Sequence, residues 1–121
     1  AGPGKPICAD GMKLLLNMVL LGIESLPRGG TLAVGVADLE DGTGVAITAA
    51  GMGARFRDEL RTAMTPNFPV GDLSARTVQG YFAARLAERL GTAVEASDIE
   101  GDKVQLAAIL PPPGGGVRSQ L

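Results

Sequence analysis

From Asp10 to Leu26, Met12, Leu15, Leu16, Val19, Ile23 and Leu26 recur at three- and four-residue intervals, which predicts a helix with those side chains facing a core. Asp10 stands where an N-cap is needed. A second apolar row, Leu14, Met18 and Leu21, leaves only Lys13, Asn17 and Glu24 as a narrow polar strip. Such a helix is expected to be covered on two faces, by a sheet and by another helix. Pro27-Arg28-Gly29-Gly30 ends it and turns the chain. The period then changes to two. Leu32, Val34 and Val36 alternate with Ala33, Gly35 and Ala37, Asp41-Gly42-Thr43-Gly44 reads as a turn, and residues 45–49 alternate again. This predicts a β-hairpin.

Gly51-Met52-Gly53 leads into a short helix with Phe56, Leu60 and Met64 on one face, and residues 65–71 form a loop holding Pro66 and Pro69. Asp72 or Ser74 is expected to cap a longer helix reaching Leu90, with Val78, Phe82, Leu86 and Leu90 buried and Gly91 as its C′ residue. A second hairpin follows, through residues 92–97, a turn at Glu100-Gly101-Asp102, and residues 103–110. Residues 1–7 read as a linker or disordered start, 8–111 as one domain, and the Pro/Gly-rich 112–121 as a flexible tail. The predicted class is α+β. We expect a two-layer sandwich whose mixed, largely antiparallel sheet is covered on one face by about three helices.

Composition narrows the function. A chain of 121 residues holds one core, built mainly from aliphatic side chains, because the aromatics are only Phe56, Phe68, Phe82 and Tyr81. The net charge of -2 gives no electrostatic reason to bind nucleic acid or an anionic membrane. The longest apolar run, residues 14–23, falls short of the ~20 needed to span a bilayer and contains Asn17. Cys8 is the only cysteine, which fits a reducing compartment and a cytoplasmic location. There is no histidine, so no serine, threonine or cysteine has an imidazole base. Asp38, Glu40 and Asp41 cluster at the first hairpin turn, where turn chemistry explains them as readily as a loose metal site does. No catalytic residue, metal site or cofactor is expected. The Gly/Pro-rich start at Ala1 is what an interdomain linker looks like.

Leu14-Leu15-Leu16-Asn17-Met18-Val19, followed by Pro27-Arg28-Gly29-Gly30-Thr31-Leu32, resembles the opening of the ATP-binding domain of sensor histidine kinases, the Bergerat or GHKL fold. The hairpin, the Gly51-Met52-Gly53 turn, the long helix and the closing hairpin continue the likeness over roughly residues 8–111. In that family two asparagines one turn apart hold Mg²⁺ and a basic residue one turn later meets phosphate. Asn17 matches the first, but Leu21 and Glu24 occupy the other two positions. An aspartate that reads adenine precedes the family's Gly-x-Gly turn. Here Gly51 and Gly53 remain and the carboxylate position is Ala49. The family's glycine-rich phosphate cradle is Val70-Gly71-Asp72-Leu73-Ser74, with one glycine and an added negative charge. The resemblance thus implies a retained scaffold with a degenerate nucleotide pocket.

Residues 15–17 and 24–30 are also similar to the start of the C-terminal domain of ChpT-type bacterial histidine phosphotransferases. That likeness implies a domain without ATP that docks response-regulator receiver domains in a two-component phosphorelay fed by a hybrid histidine kinase. The phosphorylated histidine and the homodimer contact would lie on a helical hairpin outside this sequence. A divergent but active kinase domain, or an interaction module of the same fold, is the alternative. Arg55 and Arg61 are the expected contacts to a receiver's acidic rim, where bidentate pairing favours arginine; a solvated charged face with Asp58 and Glu59 is the plainer explanation.

Overall fold

The computed structural model describes residues 9–40 and 42–111. Helix α1 (Ala9–Glu24) precedes a hairpin of β1 (Thr31–Leu39) and β2 (Gly42–Ala50). Helix α2 (Asp58–Ala63), a 3-10 turn (Val70–Asp72) and helix α3 (Val78–Arg89) lead to a second hairpin, β3 (Glu95–Ile99) and β4 (Lys103–Leu110). The four strands form one sheet in the order β1-β2-β4-β3, and every neighbouring pair is antiparallel. The α+β prediction and the helical cover hold. The described sheet is wholly antiparallel instead of mixed.

The two central strands carry the core. Val45, Ile47 and Ala49 of β2 and Val104, Leu106, Ala108 and Leu110 of β4 are buried, and the residues between them face the opposite side. The register sets Ile47 beside Leu106 and Val45 beside Ala108, so one face of the sheet is a continuous aliphatic floor. Leu14, Met18 and Leu21 of α1 lie on it with no exposed surface. Each such side chain contributes about 1.5–3 kcal/mol by leaving water. Gly22 is the point of closest approach, since a Cβ there would lie 3.2 Å from both Ile47 Cγ2 and Leu32 Cδ1. Leu60, Ala83, Leu86 and Phe56 close the core from α2, α3 and the segment ahead of α2. Gly91, at φ +76°, ends α3 as expected: its amide bonds Glu88 O at 3.0 Å, and Thr92 N bonds Ala87 O at 2.9 Å.

Several details of the sequence reading change. In α1 the buried row is Leu14, Met18 and Leu21, together with Asn17 and Gly22. Leu15, Val19 and Leu26 pack on the margin of the core, while Met12, Leu16 and Ile23 are exposed. Spacing fits either row; only the position of the sheet chooses between them. In α3, Leu86 is buried and Leu90 packs against the core, but Val78 and Phe82 are exposed, because small residues (Gly80, Ala83, Ala84, Ala87) make the contact. The helix begins after Thr77, later than an Asp72 or Ser74 cap requires, with Ser74 O accepting from Val78 N at 3.0 Å. Strand β2 starts at Gly42, so Gly42-Thr43-Gly44 belongs to the ladder. The linker 1–7, Cys8 and the tail 112–121 lie outside the described residues.

Candidate functional site

Of the residues that the resemblance assigns to a nucleotide pocket, Asn17, Leu21 and Glu24 lie on the second half of α1, Ala49 on β2, and Gly51 and Gly53 in the turn that follows it. Asn17 sits on the flank of α1 that meets α3 and is 8% exposed. Its Nδ2 donates to Lys13 O at 2.8 Å and its Oδ1 accepts from Gln79 Nε2. Both ends of the amide are therefore engaged within the protein. Arg89 Nη2 and Asp10, 3.5 Å apart, tie the same two helices at their other end. Leu21 has no exposed surface and Ala49 is 1% exposed. Both belong to the packed interior and offer no ligand atom.

Glu24 receives Arg57 at 3.2 Å. Arg57 stands just ahead of α2, and its guanidinium also reaches Arg76 O at 3.5 Å and Glu59 at 3.8 Å. One arginine thus ties the end of α1 to the approach to α3. Its sequence neighbours gave no sign of this reach. Gln79, on the exposed-to-buried margin of a helix, was likewise not singled out by any pattern.

The two turn glycines serve the fold. A Cβ at Gly51 would overlap the Gly29 carbonyl oxygen, so this position allows two chain segments to touch. Gly51 N donates to Asp102 O at 3.1 Å. Gly53 has φ +78°, the left-handed conformation glycine adopts without strain. Ahead of α3, Ser74 consumes the amides a phosphate would need: its Oγ accepts from Arg76 N and its carbonyl from Thr77 N and Val78 N.

A cleft of about 330 Å³ remains, walled by Glu24, Pro27, Arg55, Arg57, Asp58 and Glu59. Arg55 is exposed at its rim and its amide is anchored to Ser25 O at 3.1 Å. Arg61 lies elsewhere. It donates to Ala96 O at 2.8 Å, pairs with Asp98 at 3.3 Å and stacks over Phe56 at 5.2 Å. Asp98 also accepts from Phe56 N at 2.9 Å, so Arg61 and Asp98 together clamp α2 to β3. The two arginines expected on one surface line different clefts. Among the described residues no three His, Cys, Asp or Glu side chains converge as metal ligands, and no helix is long and apolar enough to cross a membrane.

Comparison with known proteins assigns the family. Residues 2–102 match the histidine phosphotransferase C-terminal domain. The chain belongs to this family. It is 37% identical over 83 residues to protein phosphotransferase ChpT of Brucella abortus (strain 2308), covering 66% of this chain and 38% of that protein. The structure of a bacterial phosphotransferase superposes on this domain with a TM-score of 0.71 at 29% identity, covering 82% of this chain and 48% of the other. The phosphotransferase domain therefore spans less than half the length of these relatives. The catalytic domain of histidine kinase ThkA, in a nucleotide-free form, shares the fold with a TM-score of 0.58 at 18% identity, covering 84% of this chain and 65% of the other. A phosphotransferase domain thus carries the architecture of a kinase catalytic domain, as the order of its helices and hairpins implied.

Proposed function

We propose that this domain contributes to phosphoryl transfer by positioning and not by chemistry. In a phosphorelay it docks a response-regulator receiver domain, so that the receiver's aspartate lies in line with a phosphohistidine carried elsewhere on the phosphotransferase. Transfer of a phosphoryl group depends mainly on placement and charge stabilisation, so a domain with no reactive group can still raise its rate.

The observation that supports this reading is the state of the residues that the resemblance would place around a nucleotide. Asn17 is held by Lys13 O and Gln79, Leu21 and Ala49 are core, and Glu24 is paired with Arg57. A triphosphate entering there finds Glu24 where the resemblance would place a cation, and the amides of Arg76, Thr77 and Val78 already bonded to Ser74. What stays accessible in this region is the cleft walled by Glu24, Pro27, Arg55, Arg57, Asp58 and Glu59, with Arg55 exposed at its rim. Exposed arginine is suited to the acidic surface around a receiver's phosphoacceptor.

Calorimetric titration tests both halves. Mg·ATP added to millimolar concentration should give no binding heat, and isolated receiver domains should bind with an affinity that falls as salt rises. Micromolar ATP affinity would overturn the proposal in favour of a divergent kinase domain. Failure to bind any receiver of the host's two-component systems would leave an interaction module with another partner.

A further inference from the structure

Leu16 and Leu20 on α1 and Val78 and Phe82 on α3 are 60%, 47%, 46% and 52% exposed. The helices run antiparallel, since Asn17 meets Gln79 while Asp10 meets Arg89. Leu16 and Leu20 flank Asn17 at one residue before and three after; Val78 and Phe82 flank Gln79 in the same way. Helical spacing then places all four on the solvent side of the α1–α3 seam, above the buried Asn17–Gln79 contact. None of them is needed by the core, which α3 reaches through Gly80, Ala83, Leu86 and Ala87. Phe82 leaves about half its surface in water in a protein with only three phenylalanines. An exposed aromatic within an apolar cluster is the usual anchor of a protein interface.

The seam runs into the cleft described above. Glu24 lies one turn beyond Leu20, and Arg57 spans from Glu24 to the carbonyl of Arg76, two residues ahead of Val78. The charges bordering the seam and its cleft are Lys13, Arg55, Arg57, Arg76 and Arg89 against Asp10, Glu24, Asp58 and Glu59. Asp10 is paired with Lys13 and Arg89, and Glu24 and Glu59 are both paired with Arg57. Among the described residues Arg55 and Arg76 pair with no carboxylate, so the border keeps a small excess of cations for a partner. The Asn17–Gln79 bond holds the two helices in fixed register, so the surface exists before a partner arrives, which limits the entropy lost on docking.

We infer that the α1–α3 seam, centred on Phe82 and Leu20 and ending at Arg57, is the face on which a receiver domain docks, through an apolar patch of the receiver edged by carboxylates. This rests on the docking role proposed above and assigns its energetic centre to the seam, with the arginine cleft as a steering rim. Apolar anchors set how long a complex lasts, whereas rim charges mainly set how fast it forms.

The test is calorimetric titration of purified receiver domains into the wild-type chain, Phe82→Ser, Leu20→Ser and, as a control on the opposite face of the sheet, Ile109→Ser. Thermal melts verify that each variant is folded. The expected result is a loss of about tenfold or more for each seam variant and no change for Ile109→Ser. If the wild-type chain binds and the seam variants bind equally well, the seam is not the site, although the docking role stands. If the wild-type chain binds no receiver, the docking role falls and this inference with it. Amide shift mapping on the ¹⁵N-labelled wild-type chain needs no variant, and receiver-induced shifts confined to α2 or the sheet would overturn the assignment. So would sedimentation showing that Phe82→Ser splits a dimer while receiver binding is unchanged, because the occupant would then be a second copy.

Discussion

Replacing Leu21 with asparagine restores, on paper, the second amide that a magnesium site of this fold would use. The structure predicts a different outcome. Leu21 has no exposed surface and packs in the cluster with Leu14, Met18 and Ile47. Loss of the leucine side chain costs about 2–5 kcal/mol, as for other buried leucines truncated in well-packed cores. Burying an amide with no partner adds about 1–3 kcal/mol. A change of roughly 3–8 kcal/mol takes a large share of the about 5–15 kcal/mol by which domains are stable. Urea unfolding followed by circular dichroism should show a much lower midpoint at an unchanged slope. Leu16→Ala on the same helix, at a residue 60% exposed, should change stability by no more than about 0.5 kcal/mol. A Leu21→Asn protein that unfolds within about 1 kcal/mol of wild type, or gains Mg·ATP affinity, would refute the reasoning. It would mean that position 21 faces an open pocket and not the core.

Asn17→Ala and Gln79→Ala should each cost about 1–2 kcal/mol, and the double variant should cost less than their sum by at least about 0.5 kcal/mol, since either change removes the same contact; chemical denaturation of all four proteins measures this. Asp98→Ala removes the acceptor of both Phe56 N and Arg61, so amides of residues 56–63 should exchange with solvent faster while those of β2 and β4 keep their protection. Gly51→Ala forces a Cβ onto the Gly29 carbonyl and should lower stability by more than about 2 kcal/mol, seen as a fall in melting temperature with or without nucleotide.

The likeness to the phosphotransferase domain was legible because it rests on order and local words: a helix ending in Pro27-Arg28-Gly29-Gly30, a hairpin, a Gly-x-Gly turn, a helix closed by Gly91. These depend on local backbone geometry, which nearby residues settle. That Leu21 and Ala49 offer no ligand atom was also plain, because it is a matter of residue identity. Which residues engage Asn17 and Glu24 was not. Gln79 lies 62 positions from Asn17, and Arg57 lies 33 from Glu24. Nothing local in the chain marks such partners. Arg61 looked like a free surface cation, yet Asp98 and Ala96 O hold it from 37 and 35 residues away.

The sequence by itself determined the element order, the stops at glycine and proline, the aliphatic character of the core and the absence of an imidazole. Periodicity could not decide which apolar row of α1 faces inward, because Leu14-Met18-Leu21 and Leu16-Ile23 fit the same repeat. The tertiary structure decided it. Ile47 and Leu106 make a floor on one side of α1, and Gly22 lets the helix descend only on the side where it lies. That choice buries Leu21 and turns Leu16 and Leu20 outward on the side that Phe82 also faces. Burial is set by contacts between residues far apart in the chain, and such contacts exist only once the fold has formed.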